Sequence, residues 1–302
     1  MKLFKRIALA FLILLTLILS GGYFYFNQKF TPEENYLTVQ NESGNIPVTW
    51  LGRDKNVMLL PIHFQGNSET YYLQFDTGSP YTQFYSNFIK NIKEISVKND
   101  RAETAFHIGN TEISSRQFKI FETKNSDNDS LKVIGTLGAD VLEDRKTVID
   151  FRKNFVFLNI SDVPKVFKSN LIDFKFSKRK IVISGVLKGK ERKFLYDSGT
   201  SAYEFLTYKE EWEKLKLKNA EVKTENAKSW NRILTTFTTR CNENIKFENM
   251  EIPVREITYV EGFSDGQFSL MKFTGMSGMV GNKIFLNHCI FIDGKNKKFG
   301  ID

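Results

Sequence analysis

The period of apolar and polar positions changes along the chain. Residues 7–20 are an apolar run broken only by one Thr before its closing Ser20. Gly21, Gly22 and the aromatic cluster Tyr23–Phe26 extend it to about 20 residues, enough for a helix to cross a bilayer. Residues 27–45 are polar and aperiodic and predict a tether. From about residue 56 the pattern turns to β. Val57–Phe64 predicts a strand, Gln65–Ser68 a turn, and Tyr71–Phe75 a returning strand that ends at Asp76. The design recurs: Lys180–Leu187 predicts a strand, Lys188–Lys190 a turn, and Lys193–Tyr196 a return that ends at Asp197. Beyond residue 27, only Tyr208–Lys218 predicts a sizeable helix.

The recurrence continues downstream. The apolar-Gly segment Ile134–Leu142 matches Met276–Leu286. Gly138 stands 12 residues before Asp150, and Gly281 stands 12 before Asp293. Basic or Asn turn residues then lead to Phe155–Phe157 and Phe299–Ile301. A repeat of this length predicts two duplicated lobes related by an approximate two-fold axis. The expected limits are 1–26 for a membrane anchor or signal segment, 27–45 for the tether, 46–164 for one lobe and 165–302 for the other.

Each hairpin delivers the same short motif. Phe75-Asp76-Thr77-Gly78-Ser79 and Tyr196-Asp197-Ser198-Gly199-Thr200-Ser201 both read apolar, Asp, hydroxyl, Gly, hydroxyl. One copy is ordinary turn chemistry. Two copies inside a repeat point to paired carboxylates. Gly at the third position lets the backbone turn tightly and approach a partner. If the two-fold axis brings Asp76 against Asp197, like-charge repulsion keeps both from ionising together, and the pair holds one proton over a range of pH. Such a pair can take a proton from a water and give one to a carbonyl or leaving amine, without a metal or other cofactor.

On these motifs, the apolar-Gly segments and the terminal Phe291-Ile292-Asp293…Phe299-Gly300 pattern, residues 55–302 resemble the bilobal aspartic peptidases, the pepsin-like and retropepsin-like group. The resemblance implies an all-β, bilobal pepsin-like fold with two lobes related by a pseudo-two-fold axis, here behind one N-terminal transmembrane helix. It implies Asp76 and Asp197 as a catalytic dyad. Thr77 and Ser198 would brace the lobes through their hydroxyls, Ser79 and Thr200 would support the outer carboxylate oxygens, and Gly78 and Gly199 would contribute backbone contacts. It implies an endopeptidase acting on a peptide or protein bound as an extended strand, as a monomer carrying both lobes. Two departures stand out. Ile95–Phe121, where the family carries a flap Tyr, has none, and Pro80 replaces a small hydroxyl residue. The alternative is a catalytically inactive peptide-binding module on the same fold. A further reading is a self-processing or assembly factor with one partner.

The chain has 302 residues, with 41% hydrophobic residues and 28 Phe, enough for a large aromatic-rich core. Net charge is +8; Lys2, Lys5 and Arg6 supply three charges, leaving +5 on residues 27–302. That excess is dispersed, in groups such as Lys188, Lys190, Arg192 and Lys193, which excludes the dense patch of a nucleic-acid binder. The basic start places the N-terminus in the cytoplasm and the lobes on the outer face of a cell membrane. Cleavage after Ser20–Gly22 would instead release a secreted protein. Cys241 and Cys289 fit either one disulfide or buried thiols. Asp150 and Asp293 read as structural turn residues. His63, His107 and His288 lack metal-ligand spacing. Trp50, Trp212 and Trp230 read as packing, and the sequons at Asn41, Asn128 and Asn159 as coincidence.

Overall fold

The computed structural model describes residues 2–122, 131–229, 232–262 and 275–302. Trp230 and Asn128 lie outside them. The chain divides into two compact units, Met1–Glu34 and Asn35–Asp302.

The first unit is the helix Lys2–Phe30, 29 residues long. Its described apolar side chains, among them Leu9, Phe11–Leu15, Leu17–Leu19 and Tyr23–Tyr25, are exposed. The Thr16 hydroxyl donates to the Leu12 carbonyl at 2.8 Å, so the polar side chain in the middle of the run is satisfied within the helix. Among the described residues no helix is long and apolar enough to cross a membrane.

The second unit begins with a fixed residue. The Asn35 amide donates to the Asp140 carbonyl at 2.8 Å, and Thr38–Gln40 pairs with Thr111–Phe121. The stretch expected to be a tether over 27–45 therefore contains the end of a helix and a paired strand. Its lack of period reflects short, edge-lying elements.

Among the described residues, nine strands form one sheet and thirteen the other. Val57–Ile62 pairs antiparallel with Tyr71–Phe75, and Tyr71–Phe75 pairs parallel with Val133–Leu137. Lys180–Leu187 pairs with Lys190–Tyr196, which pairs parallel with Met276–Val280. The helix expected over Tyr208–Lys218 is the α-helix Lys209–Leu215, and the apolar-Gly segments lead into the 3₁₀ turns Ala139–Leu142 and Asn282–Phe285.

The two halves of the repeat meet in the larger sheet. Lys146–Asp150 pairs antiparallel with Cys289–Asp293, with Val148 opposite Phe291. These two residues are equivalent in the repeat, each two before its Asp, so the pseudo-two-fold axis runs between them. Ile46–Pro47 and Phe155–Phe157 join the same sheet, so the sheets do not divide at residues 164/165. Asp150 accepts from the Lys153 amide at 3.1 Å. Asp293 accepts from the Lys295 and Asn296 amides at 3.0 and 2.8 Å. Both close turns.

Phenylalanine fills the core. Phe84, Phe106 and Phe118 pack against one another at 5.2–6.0 Å between centroids, and Tyr196 meets Phe285 and Phe299 edge-on. Such pairs add to the burial of their area. Cys241 and Cys289 are separate buried thiols, pushed up to about 12 by burial. The disulfide alternative is excluded in this structure.

Candidate active site

Both Asp residues stand where a strand runs out. The Asp76 amide donates to Leu137 O and the Asp197 amide to Val280 O, each at 3.0 Å. The parallel neighbour thus grips each strand end at the residue before the turn. In the turn, Asp76 Oδ1 accepts from the amides of Gly78 (2.8 Å) and Ser79 (3.1 Å). Asp197 Oδ1 accepts from the Gly199 amide at 2.9 Å. These Asx turns fix the orientation of each carboxylate.

The two turns interlock. The Thr77 amide donates to Ser198 Oγ and the Ser198 amide to Thr77 Oγ1, each at 2.9 Å. In return, Ser198 Oγ donates to Phe75 O at 2.9 Å and Thr77 Oγ1 to Tyr196 O at 3.2 Å. Thr77 and Ser198 are fully buried, so these four bonds are shielded from water. The glycines fix how near the carboxylates come. A Cβ at Gly78 would lie 2.5 Å from Asp197 Oδ1, and one at Gly199 would strike the Asp76 carboxylate. Only a residue without a side chain lets each backbone pass beneath the opposite acid.

Electrostatics follow. The Asp76 carboxyl is pushed up to about 7, first by burial and then by the charge of Asp197; Lys180 pulls the other way. Tyr85 donates to or accepts from Thr136 at 3.0 Å. Burial, with a smaller contribution from Asp76, raises it.

Ser79 and Thr200 depart from expectation. The Ser79 hydroxyl donates to Tyr81 O at 2.9 Å, and the Thr200 hydroxyl to Asp197 O at 2.8 Å. Neither reaches an outer carboxylate oxygen, because each is taken by a carbonyl two or three residues away in its own turn. Ser79 supports Asp76 through its amide instead.

Behind each turn sits a polar support that the sequence reading missed. Asp140 accepts from the amide and hydroxyl of Thr82, each at 2.7 Å. It is pushed up to about 6 by burial, against the hydrogen bonds from Thr82. On the other side, Asn282 accepts from the Tyr196 hydroxyl at 2.7 Å and donates to Ser201 Oγ at 2.6 Å. The position of Asp140 and Asn282 inside the apolar-Gly segments, two residues after Gly138 and one after Gly281, was the available signal. Arg179 and Lys180 were missed as well. They close the two-residue turn after Leu171–Ser177. Arg179 binds Glu143 Oε2 through Nη2 at 2.9 Å and Pro80 O through Nη1 at 3.4 Å. The Lys180 ammonium donates to Gly78 O. Ile181 pairs with Tyr196, so counting along the hairpin puts Lys180 beside Asp197.

The stretch Ile95–Phe121 holds two hairpins, a long one in which Arg101–Ile108 pairs with Thr111–Phe121 and a short one before it. Ser96–Lys98 pairs with Arg101–Ile108 through the turn Asn99–Asp100, both residues at positive φ (49° and 58°). Arg101 pairs with Lys119 and Lys119 with Gln83, so this short hairpin turns at the end of the sheet reached from the Asp76 loop. Lys119 Nζ lies 3.9 Å from the Tyr81 ring centroid.

A search of solved structures finds the aspartic proteinase from Irpex lacteus, with a TM-score of 0.52 and 12% identity over 86% of this chain and 97% of that one. The chain shares its fold with an aspartic proteinase. That fold is mostly β, in two large sheets, and pepsin-like. No protein-family model and no curated protein matches the sequence. At this identity the likeness carries the architecture alone. Among the described residues no group of His, Cys, Asp or Glu could hold a metal.

Proposed function

We propose that this chain is an aspartic endopeptidase in which Asp76 and Asp197 share one proton and activate a water for attack on a peptide carbonyl. The observation that carries the reading is the interlocked pair of Asp turns. Each glycine lies beneath the opposite carboxylate, and Asp76 is pushed up to about 7. Below that pH the pair retains a proton to give to the carbonyl oxygen, while the ionised member draws one from the water. The substrate would be a peptide or protein bound in extended form between lobes 46–164 and 165–302, in a monomer. No cofactor is invoked.

The helix Lys2–Phe30 would tether the enzyme as a single-pass anchor, N-terminus inside. Supporting this are the basic start, the apolar run 7–26 and the exposed apolar side chains along it. The short hairpin at Asn99–Asp100 favours, as a second reading, a module that holds a peptide without enclosing and cutting it.

The test is hydrolysis of a diverse peptide library from acid to neutral pH by the chain and by its Asp76→Asn and Asp197→Asn variants. Cleavage that falls at least 10³-fold in both variants is expected of the dyad. Cleavage unchanged in either variant rejects it. Peptide binding without cleavage in all three proteins selects the binding module.

A further inference from the structure

A hydrogen-bonded relay joins Lys180 to Asp76. The Lys180 ammonium donates to the carbonyl of Gly78. That carbonyl belongs to the same peptide unit as the Ser79 amide, which donates to Asp76 Oδ1 at 3.1 Å. A cation on the oxygen of a peptide withdraws charge from its N–H and strengthens that N–H as a donor. Lys180 is held in place for this. It follows the tight turn Lys178–Arg179, both residues at positive φ (54° and 57°), and it opens the strand Lys180–Leu187.

The surrounding charges leave this contact distinctive. Asp197 faces Asp76 across the pair, with Tyr196 at its base and Tyr85 on the Asp76 side. Behind the Asp76 loop stand Asp140 and Glu143. Arg179 is 4% exposed and bound to Glu143, so its charge is offset there. The bond from Lys180 goes to a neutral carbonyl and leaves its charge to act on Asp76.

We propose that Lys180 is a positioning residue that sets the alkaline limit of the site's working range, acting on Asp76 through the Gly78–Ser79 peptide. The proposal rests on the dyad reading above. The sign is fixed by charge. A cation favours ionised Asp76, so it brings loss of the shared proton to lower pH. Removing it lets the pair keep that proton longer and extends activity upward in pH.

The test uses the full chain in detergent, with Lys180→Met and Lys180→Arg. In Lys180→Met the alkaline limb of the kcat/KM profile should rise by roughly one pH unit. In Lys180→Arg it should stay near the wild-type position. A fall in kcat at every pH with the limb unmoved would show a merely structural role and overturn the proposal. Should Lys180→Met fail to fold, Lys180→Gln keeps a donor without the charge and should show the same rise. If the wild-type chain cuts no peptide, the endopeptidase reading has failed, and the ¹³C titration of the Asp76 carboxyl decides the relay. An upward shift in the neutral variant supports the relay and an unchanged titration overturns it.

Discussion

At the scale of single residues the site depends on two hydroxyls and two glycines. Ser198 Oγ accepts from the Thr77 amide and donates to Phe75 O. Ser198→Ala removes both bonds and leaves a buried N–H unpaired, which costs about 1–3 kcal/mol. A lowered Tm, with a kcat loss larger than that of a surface Ser→Ala change, is expected. Gly78→Ala acts differently. Its Cβ would meet the Asp197 carboxylate, so the acids must part. Activity should fall at least tenfold with Tm changed far less. A Gly78→Ala enzyme with wild-type kcat/KM would show that the close approach has no bearing on catalysis.

At the scale of elements, the strand-turn-strand unit does the positioning. Each Asp is the first residue after a strand clamped by an antiparallel neighbour on one side and a parallel neighbour on the other. Carrying the acid on such an element, rather than on a free loop, holds its direction. The helix Lys2–Phe30 is an element of the opposite kind, with its described apolar side chains exposed. An unpaired charge at its centre would cost about 2.5–3.5 kcal/mol in a bilayer. With the helix as the anchor proposed above, Leu14→Asp should release part of the chain from the membrane fraction without changing the Tm of residues 35–302. Fractionation of cells expressing both forms checks this, and equal partition of the two would reject the anchor.

At the scale of the whole molecule, the duplicated pattern was the most legible feature. The Asp motifs, their hairpins and the equal spacing from Gly138 to Asp150 and from Gly281 to Asp293 are local signals, and the strands and 3₁₀ turns follow them. The meeting of Val148 with Phe291 on the pseudo-two-fold axis was implicit in that spacing. Arg179 and Lys180 were hidden because a basic pair at a hairpin tip reads as solvated surface. Only the tertiary approach of that tip to Gly78–Pro80 gives them partners. Ser79 and Thr200 were misread because a hydroxyl can bond within its own turn as readily as across the site. The buried carboxyls carry a consequence for the stability of the body. Asp76 is pushed up to about 7 and Asp140 to about 6, both chiefly by burial. Between about pH 4, where the unfolded chain ionises, and these values, the folded state binds more protons than the unfolded one. Stability contributed by these groups is therefore full in acid and declines as pH rises to about 7. Thermal unfolding of residues 35–302 should show Tm falling from about pH 4 to about pH 7 in that respect. In Asp76→Asn the part due to Asp76 disappears, so the variant should melt higher than wild type at pH 8, by up to about 4 kcal/mol in free energy. The two should converge near pH 4. A constant difference across that range would mean that Asp76 ionises at the same pH folded and unfolded, and that the pair does not hold a shared proton.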